Sequence, residues 1–418
     1  MFSMYGKSKI KNFCVLFLVL LLFACSDEPS VTRNSEANNL DPDFGWRKGD
    51  FIPVLHDSKM YGGLKSIYHV GERIVLVDNY WSSNQYTSPG SVTYTPRVFA
   101  SKIGSTHWDT LSSSEWIRYV YGDSTGLYAG TQLSGKVLKY DFDRSRWDEI
   151  YVLPFDSTGY YNVYGIAIYK GRPIVCFAGY EDSTDKRDET IKLAMKMQTD
   201  TGWVDVTYDY DSSKEYPMQF HKGVELNGKL YTISSARGMW RYDGNWKRMA
   251  KIPYPDWAKW LDDNDTTDAI RDIVVHKGKI YVIDFGSSAD ILEYDEDQDS
   301  WNPIDSVIST SNTSSSNMPS NRFSLASDGK HLFVAGSLPW PSVYMGDYGA
   351  PYGNEKKGWR EVKGNFCPNL ICLTHGSSYD MTAIGDTLYV ANEESLLKFP
   401  LKDLDRTISE QESYPSVE

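Results

Sequence analysis

Gly278-Lys-Ile-Tyr-Val-Ile-Asp-Phe-Gly-Ser-Ser-Ala-Asp-Ile-Leu-Glu-Tyr-Asp-Glu-Asp-Gln-Asp-Ser-Trp301 is the stretch on which the fold turns. A turn glycine opens an apolar run at 280–283, a second run ends in Tyr294-Asp295, a polar turn follows, and Trp301 opens the next run. Short apolar runs bounded by Gly, Asp and Ser predict antiparallel strands joined by tight turns. The same order recurs along the chain. Glycine turns lead into runs anchored at Ile74, Leu127, Ile174, Leu230, Ile280, Leu332 and Leu388, about 52 residues apart on average. Tryptophans stand at Trp46, Trp108, Trp147, Trp203, Trp246, Trp301 and Trp359, usually with an aliphatic residue or Met three positions on, as in Leu111, Ile150, Val206 and Met249. Each unit is thus a meander of four short strands, the third ending near Tyr-Asp and the fourth beginning at tryptophan.

Seven such units arranged radially predict an all-β chain, a seven-bladed β-propeller of four-stranded blades over residues 44–405. The last unit has its second strand at Leu388 and its third near 396–401, with no tryptophan strand after it. The missing element stands at the other end of the chain, at 46–54, so the N-terminal strand is expected to complete the seventh blade. Composition agrees: 418 residues with 41% hydrophobic, 24% charged and 14% aromatic side chains exclude global disorder, and the 30 Tyr favour pleated surfaces over helical bundles.

The turns Tyr140-Asp-Phe-Asp-Arg-Ser-Arg-Trp147 and Tyr294-Asp-Glu-Asp-Gln-Asp-Ser-Trp301 resemble kelch repeats, including the propeller of galactose-oxidase-like proteins. The resemblance covers roughly residues 44–401 and is uneven, because the double glycine after the second strand is replaced by Asp78-Asn79, Ser234-Ser235 or Asn392-Glu393. The chain is kelch-like in this sense. None of that family's copper-site residues is carried over: the site needs a cysteine cross-linked to tyrosine, and Cys176 sits in an apolar strand.

At the N-terminus, Lys7, Lys9 and Lys11 precede an apolar run from Phe13 to Ala24, too short for a permanent membrane span. Its end, Leu22-Phe23-Ala24-Cys25, resembles the lipobox of bacterial lipoproteins, which implies a signal peptide over 1–24 and a lipidated Cys25. Residues 25–43 then read as a flexible tether and 406–418 as a C-terminal tail. Removing the signal takes the net charge from −13 to −16, which argues against nucleic acid as a partner. Ser26 stands where an Asp would mark inner-membrane retention, so the expected location is the bacterial outer membrane, by the lipid anchor, facing the periplasm or the outside. In an oxidising compartment Cys367 and Cys372, four residues between them, are spaced to close a small disulfide loop.

In an up-and-down meander the loops joining strands two and three open on the same face as the connections between blades. That face is the expected ligand face. Its long loops carry Trp81, Trp257, Trp260 and Trp340, tryptophans outside the seven repeat positions and suited to stacking on sugars or peptides. Nine residues before each anchor, at the start of the innermost strand, stand Lys65, Arg118, Gly165, His221, Arg271, Phe323 with Arg322 beside it, and Tyr379. A basic collar of this kind suits a carboxylate, sulfate or phosphate, unless its members pair with neighbours such as Asp272 or Asp380. The histidines show no short metal-ligand spacing, and neither a nucleophile elbow nor a phosphate-binding glycine loop occurs, so no catalytic residue, metal or cofactor is assigned. The expectation is a binding or interaction module for a glycan or envelope protein partner; the alternative is an extracytoplasmic hydrolase or lyase acting on acidic carbohydrate.

Overall fold

The computed structural model describes residues 64–78, 96–154 except 106, 159–181, 191–209, 220–234, 238–252, 270–284, 290–306, 324–336, 342–346, 359–362, 380–391 and 396–401. These residues form strands β1 to β27 in seven antiparallel sheets. The first sheet holds β1 (Leu64–Val70), β2 (Arg73–Asp78), β3 (Val98–Lys102) and β4 (Asp109–Thr110). The second holds β5 (Ile117–Asp123), β6 (Gly126–Thr131), β7 (Lys136–Asp141) and β8 (Arg146–Val152), and the third β9 (Gly159–Tyr169), β10 (Arg172–Glu181), β11 (Ile191–Thr199) and β12 (Gly202–Asp205). Next come β13 (Phe220–Leu226), β14 (Lys229–Ser234), β15 (Gly238–Tyr242) and β16 (Trp246–Arg248), then β17 (Ile270–His276), β18 (Lys279–Asp284), β19 (Asp290–Asp295) and β20 (Ser300–Ser306). The sixth sheet holds β21 (Ser324–Ser327), β22 (Leu332–Gly336), β23 (Ser342–Gly346) and β24 (Trp359–Val362), and the last β25 (Asp380–Ile384), β26 (Thr387–Ala391) and β27 (Leu396–Pro400). Within every sheet the strands follow chain order, and each first strand packs against the first strand of the next sheet, with β25 returning to β1. The chain is an all-β propeller with four-stranded antiparallel blades.

Burial falls from the axis to the rim. Second strands are apolar almost without a break because a neighbouring sheet covers each face: in β6 every residue after Gly126 is buried, whereas β4 and most of β12 face solvent. The core accordingly lies between blades. One apolar cluster joins Val75 and Val77 to Leu127 and Leu138, another joins Tyr231 and Ile233 to Ile280 and Val282, and a further one joins Ile67, Ile74 and Leu76 to Ile384, Tyr389 and Leu396 of the last sheet.

The recurrent sequence signals have local causes. Lys170-Gly171, Asn227-Gly228 and Lys277-Gly278 all take positive φ at both positions, the type I′ geometry that matches strand twist in two-residue hairpins. In the Tyr-Asp turns the carboxylate closes the loop: Asp141 Oδ1 accepts from the amides of Asp143 and Arg144, and Asp295 Oδ1 from those of Asp297 and Gln298. The tyrosine packs on the tryptophan that follows, with ring centroids 5.0 Å apart for Tyr140–Trp147 and for Tyr294–Trp301.

The tryptophan then reaches the preceding blade. Trp147 Nε1 donates to Leu111 O at 3.4 Å, Trp203 to Ile150 O at 3.2 Å, Trp246 to Val206 O at 2.8 Å and Trp301 to Ala250 O at 2.7 Å. Each acceptor lies three or four residues beyond the previous repeat tryptophan. The period in the sequence is therefore a chain of blade-to-blade staples.

Candidate functional site

The innermost strands share a defect near the face where strand-two to strand-three loops and blade connections open. Pairing with the second strand slips between Leu64 and Ser66, Ile117 and Tyr119, Phe220 and Lys222, and Ile270 and Asp272, which makes Lys65, Arg118, His221 and Arg271 bulged residues. A bulge removes a residue from the ladder and re-aims it, a device common beside binding sites. These are four of the collar positions read from the sequence. In the third sheet the collar position needs correcting by one residue: Val163 and Gly165 pair with Phe177 and Cys176, so the bulged residue is Tyr164 and not Gly165. The apolar run there opens with Pro173, which pairs with Ile168 as Leu127 pairs with Gly122, so counting from Ile174 overshoots.

Two neighbouring collar residues meet. The Arg118 guanidinium lies over the Tyr164 ring, 4.2 Å from its centroid, a cation–π contact between adjacent blades. Arg118 and Arg271 are both solvent-exposed. Lys65 and His221 are placed by their backbone alone, while Arg322, Trp81, Trp257, Trp260 and Trp340 lie outside the described residues, as do Cys25, Cys367 and Cys372.

Beside Arg118 the structure adds residues that the repeat pattern does not single out. Trp116 is 46% exposed and Leu133 is 37% exposed, two of the few large apolar side chains so open to solvent among the described residues. Leu133 holds a left-handed φ of 67°, a conformation that costs a leucine free energy and marks functional surfaces when the surroundings enforce it. Here they do: the buried Asn162 of the next blade accepts from the Leu133 amide at 2.8 Å, Gln132 N donates to Trp116 O at 2.7 Å, and Gly135 N donates to Tyr161 O at 3.0 Å. Lys136 closes the edge by pairing with Glu115 at 2.8 Å and Glu149 at 3.2 Å. Their only trace in the sequence is a tryptophan off the repeat period at 116 and a Leu-Ser-Gly turn at 133–135.

One residue after each of the five bulges, and at the matching positions of the last two sheets, lies a second layer: Ser66, Tyr119, Gly165, Lys222, Asp272, Ser324 and Asp380. The acids serve the ring. Asp272 binds Lys222, accepts from its own neighbour Ile273 N at 2.7 Å, and reaches the next blade at Leu325 N, 2.8 Å away. Asp380 repeats the device, accepting from Met381 N at 3.0 Å and from Ile67 N of the first blade at 2.8 Å. Burial opposes the charge on Lys222, but the Asp272 carboxylate, through its charge and its hydrogen bond, and Asp380 wherever it is ionised outweigh it and hold the ammonium above its ordinary range. Burial likewise raises the phenols of Tyr68, Tyr119 and Tyr121, and Tyr68 Oη donates to Val120 O at 2.8 Å. Gly165 is required here, because a Cβ would stand 1.9 Å from Phe220 O. Among the described residues no group of three or more His, Cys, Asp or Glu is disposed to hold a metal ion, and no helix is long and apolar enough to cross a membrane.

Comparisons with solved structures return chains that share little sequence with this one. A chain of the mitotic checkpoint complex is 10% identical with a TM-score of 0.45, covering 81% of this chain and 86% of its own length. Sqt1 of Saccharomyces cerevisiae is 9% identical with a TM-score of 0.47, covering 82% and 84%. An extracellular domain assigned to the hybrid two-component system BT3049 of B. thetaiotaomicron is 12% identical with a TM-score of 0.44, and this chain, 81% covered, spans 40% of it. No family model and no curated protein matches the chain.

Proposed function

We propose that this protein is a lipid-anchored, kelch-like propeller of seven blades that presents the face around Trp116, Arg118, Leu133 and Tyr164 to a glycan or protein partner at the bacterial outer membrane. The observation that carries the reading is Leu133: an exposed apolar side chain held at a φ of 67° by a buried asparagine from the adjoining blade, beside an exposed tryptophan. A backbone kept in an unfavourable conformation to show an apolar group to water serves recognition better than packing. Exposed Arg118 and Arg271 on a chain of net charge −13 suit an acidic ligand, and this favours a carboxylate-bearing sugar among glycans. The same two arginines support the second reading, turnover of an acidic carbohydrate by a hydrolase or lyase.

The count of seven is supported by the seven sheets of the described residues, whose first strands contact in cyclic order. Closure by residues 46–54, which lie outside the described residues, is supported by the three strands described in the last sheet and by Trp108, which packs on the cluster of Ile384, Tyr389 and Leu396. Deleting 44–54 is expected to abolish cooperative unfolding; an unchanged melting transition contradicts closure.

A thermal-shift screen of residues 26–418 against acidic and neutral oligosaccharides, with product formation followed in the same wells, tests the binding reading. A stabilising ligand whose effect is lost in Trp116→Ala and Arg118→Ala supports it. Turnover lost in Arg118→Ala and Arg271→Ala with the fold intact supports the enzyme. Silence from a folded sample directs the reading to a protein partner, sought by pull-down from membranes. If no partner depends on Trp116 or Arg118, the proposed face is wrong.

A further inference from the structure

A single hydroxyl lies between two carboxyl groups in the second layer of the ring. Ser324 Oγ is 3.0 Å from Asp272 Oδ2 and 3.0 Å from Asp380 Oδ1, and it also accepts from Met381 N at 3.3 Å. A serine hydroxyl has one proton and donates to one acceptor at a time, whereas an ionised carboxylate only accepts. Two contacts of hydrogen-bond length to two carboxylates therefore require a second proton, and it must come from one of the acids.

The geometry points to Asp380 as the protonated member of a relay in which Asp380 Oδ1–H donates to Ser324 Oγ and Ser324 Oγ–H donates to Asp272 Oδ2, so that one bound proton ties β25 to β21 and β21 to β17. The assignment follows from the partners. Asp272 binds the Lys222 ammonium and accepts from two backbone amides, so its oxygens are already engaged as acceptors on three sides. Asp380 has two backbone amides, and the groups around it from neighbouring strands are the Tyr68 phenol on β1, Tyr119 on β5, Lys222 on β13 and Asp272 on β17; Tyr389 on β26 packs in the apolar cluster with Ile67 and Ile384. With the proton on Asp380, Ser324 accepts twice and donates once, and every polar atom of the relay is satisfied. Burial pushes the Asp380 carboxyl above the ordinary range; Lys222 draws it back and Asp272 raises it again, so the direction agrees with the assignment.

The consequence is a ring seam that weakens with alkali. A carboxyl whose folded pKa exceeds its unfolded value contributes stability that is complete below the unfolded pKa and is lost as pH rises through the folded one. Inside that window the folding constant falls by up to about tenfold per pH unit for one proton. Asp380 joins the last sheet to Ser324 on one side and to Ile67 of the first sheet on the other, so the loss falls where the ring closes.

Infrared spectroscopy of the full chain at neutral pH tests the assignment. The relay predicts a protonated-carboxyl C=O band that Asp380→Asn removes, and a wild-type unfolding midpoint that falls relative to this variant as pH rises above the ordinary carboxyl range. Should Asp380→Asn fail to fold, Ser324→Ala keeps the band and shifts its frequency, since the acid loses its acceptor. No such band in the wild type, a band untouched by Asp380→Asn, or one unmoved by Ser324→Ala overturns the assignment.

Discussion

Replacing Trp301 by phenylalanine removes the indole N–H and part of the ring while keeping an aromatic side chain against Tyr294. Trp301 is buried, and its bond to Ala250 O, at 2.7 Å, links the fifth sheet to the fourth. Loss of that bond costs about 1 kcal/mol, with the abandoned carbonyl included. The smaller ring leaves a gap in a cluster that also holds Met249, Ile252 and Ile273, which adds about 1–2 kcal/mol. The sum is about 2–3 kcal/mol, or a fall of about 3–5 °C in the melting midpoint for a fold of this size. Thermal unfolding followed by far-UV circular dichroism measures it without relying on tryptophan emission. The same substitution at the other three staples, all half-buried, grades the result by the bond: Trp246, bonded at 2.8 Å, should cost nearly as much, Trp203 at 3.2 Å less, and Trp147 at 3.4 Å least. Equal losses at all four positions, or a loss below about 0.5 kcal/mol at Trp301, would refute the view that the bond to the preceding blade is what the repeat preserves.

Other consequences are open to the same treatment. Gly165→Ala, which drives a Cβ to within 1.9 Å of Phe220 O, should prevent folding or lower the midpoint severely, whereas Gly71→Ala, at a φ of 57° with open space around it, should cost about 1 kcal/mol; soluble yield and melting curves separate the two. Asp272→Ala leaves the partly exposed Lys222 ammonium and the Leu325 amide without their acceptor and should cost about 2–3 kcal/mol, while the double variant Lys222→Met, Asp272→Ala should recover part of that in a denaturant-melt cycle. Burial alone would raise the Asp328 carboxyl, but hydrogen bonds from the His331 side chain and from the amides of His331 and Lys330 outweigh it and hold the group below its ordinary range. Its contribution is present above the unfolded pKa and lost as pH falls through the folded one, so the wild type should lose stability faster on acidification than Asp328→Asn.

The blades are legible in the sequence because their determinants are local and repeated. Glycine turns, Tyr-Asp loops and tryptophans recur at nearly fixed spacing, and each does the same physical task in every blade. The collar is half legible. Counting back from the apolar anchors finds Lys65, Arg118, His221 and Arg271 at the bulges, and fails at Tyr164 because Pro173 hides the first position of its run. The second layer lay one residue further on in the same count. It was opaque because its members differ in type, and the meaning of Asp272, Ser324 and Asp380 arises only when three strands, each about 50 residues from the next, converge. Leu133 carries no signal that sequence reasoning can weigh, since its left-handed backbone depends on an asparagine in another blade.

Amide hydrogen exchange of residues 26–418, with and without the oligosaccharide or partner that the screen returns, addresses the central claim most directly. The account predicts protection at 116–118, 132–136 and 161–165. Protection confined to the opposite face, at the hairpins around Gly171, Gly228 and Gly278, would contradict it.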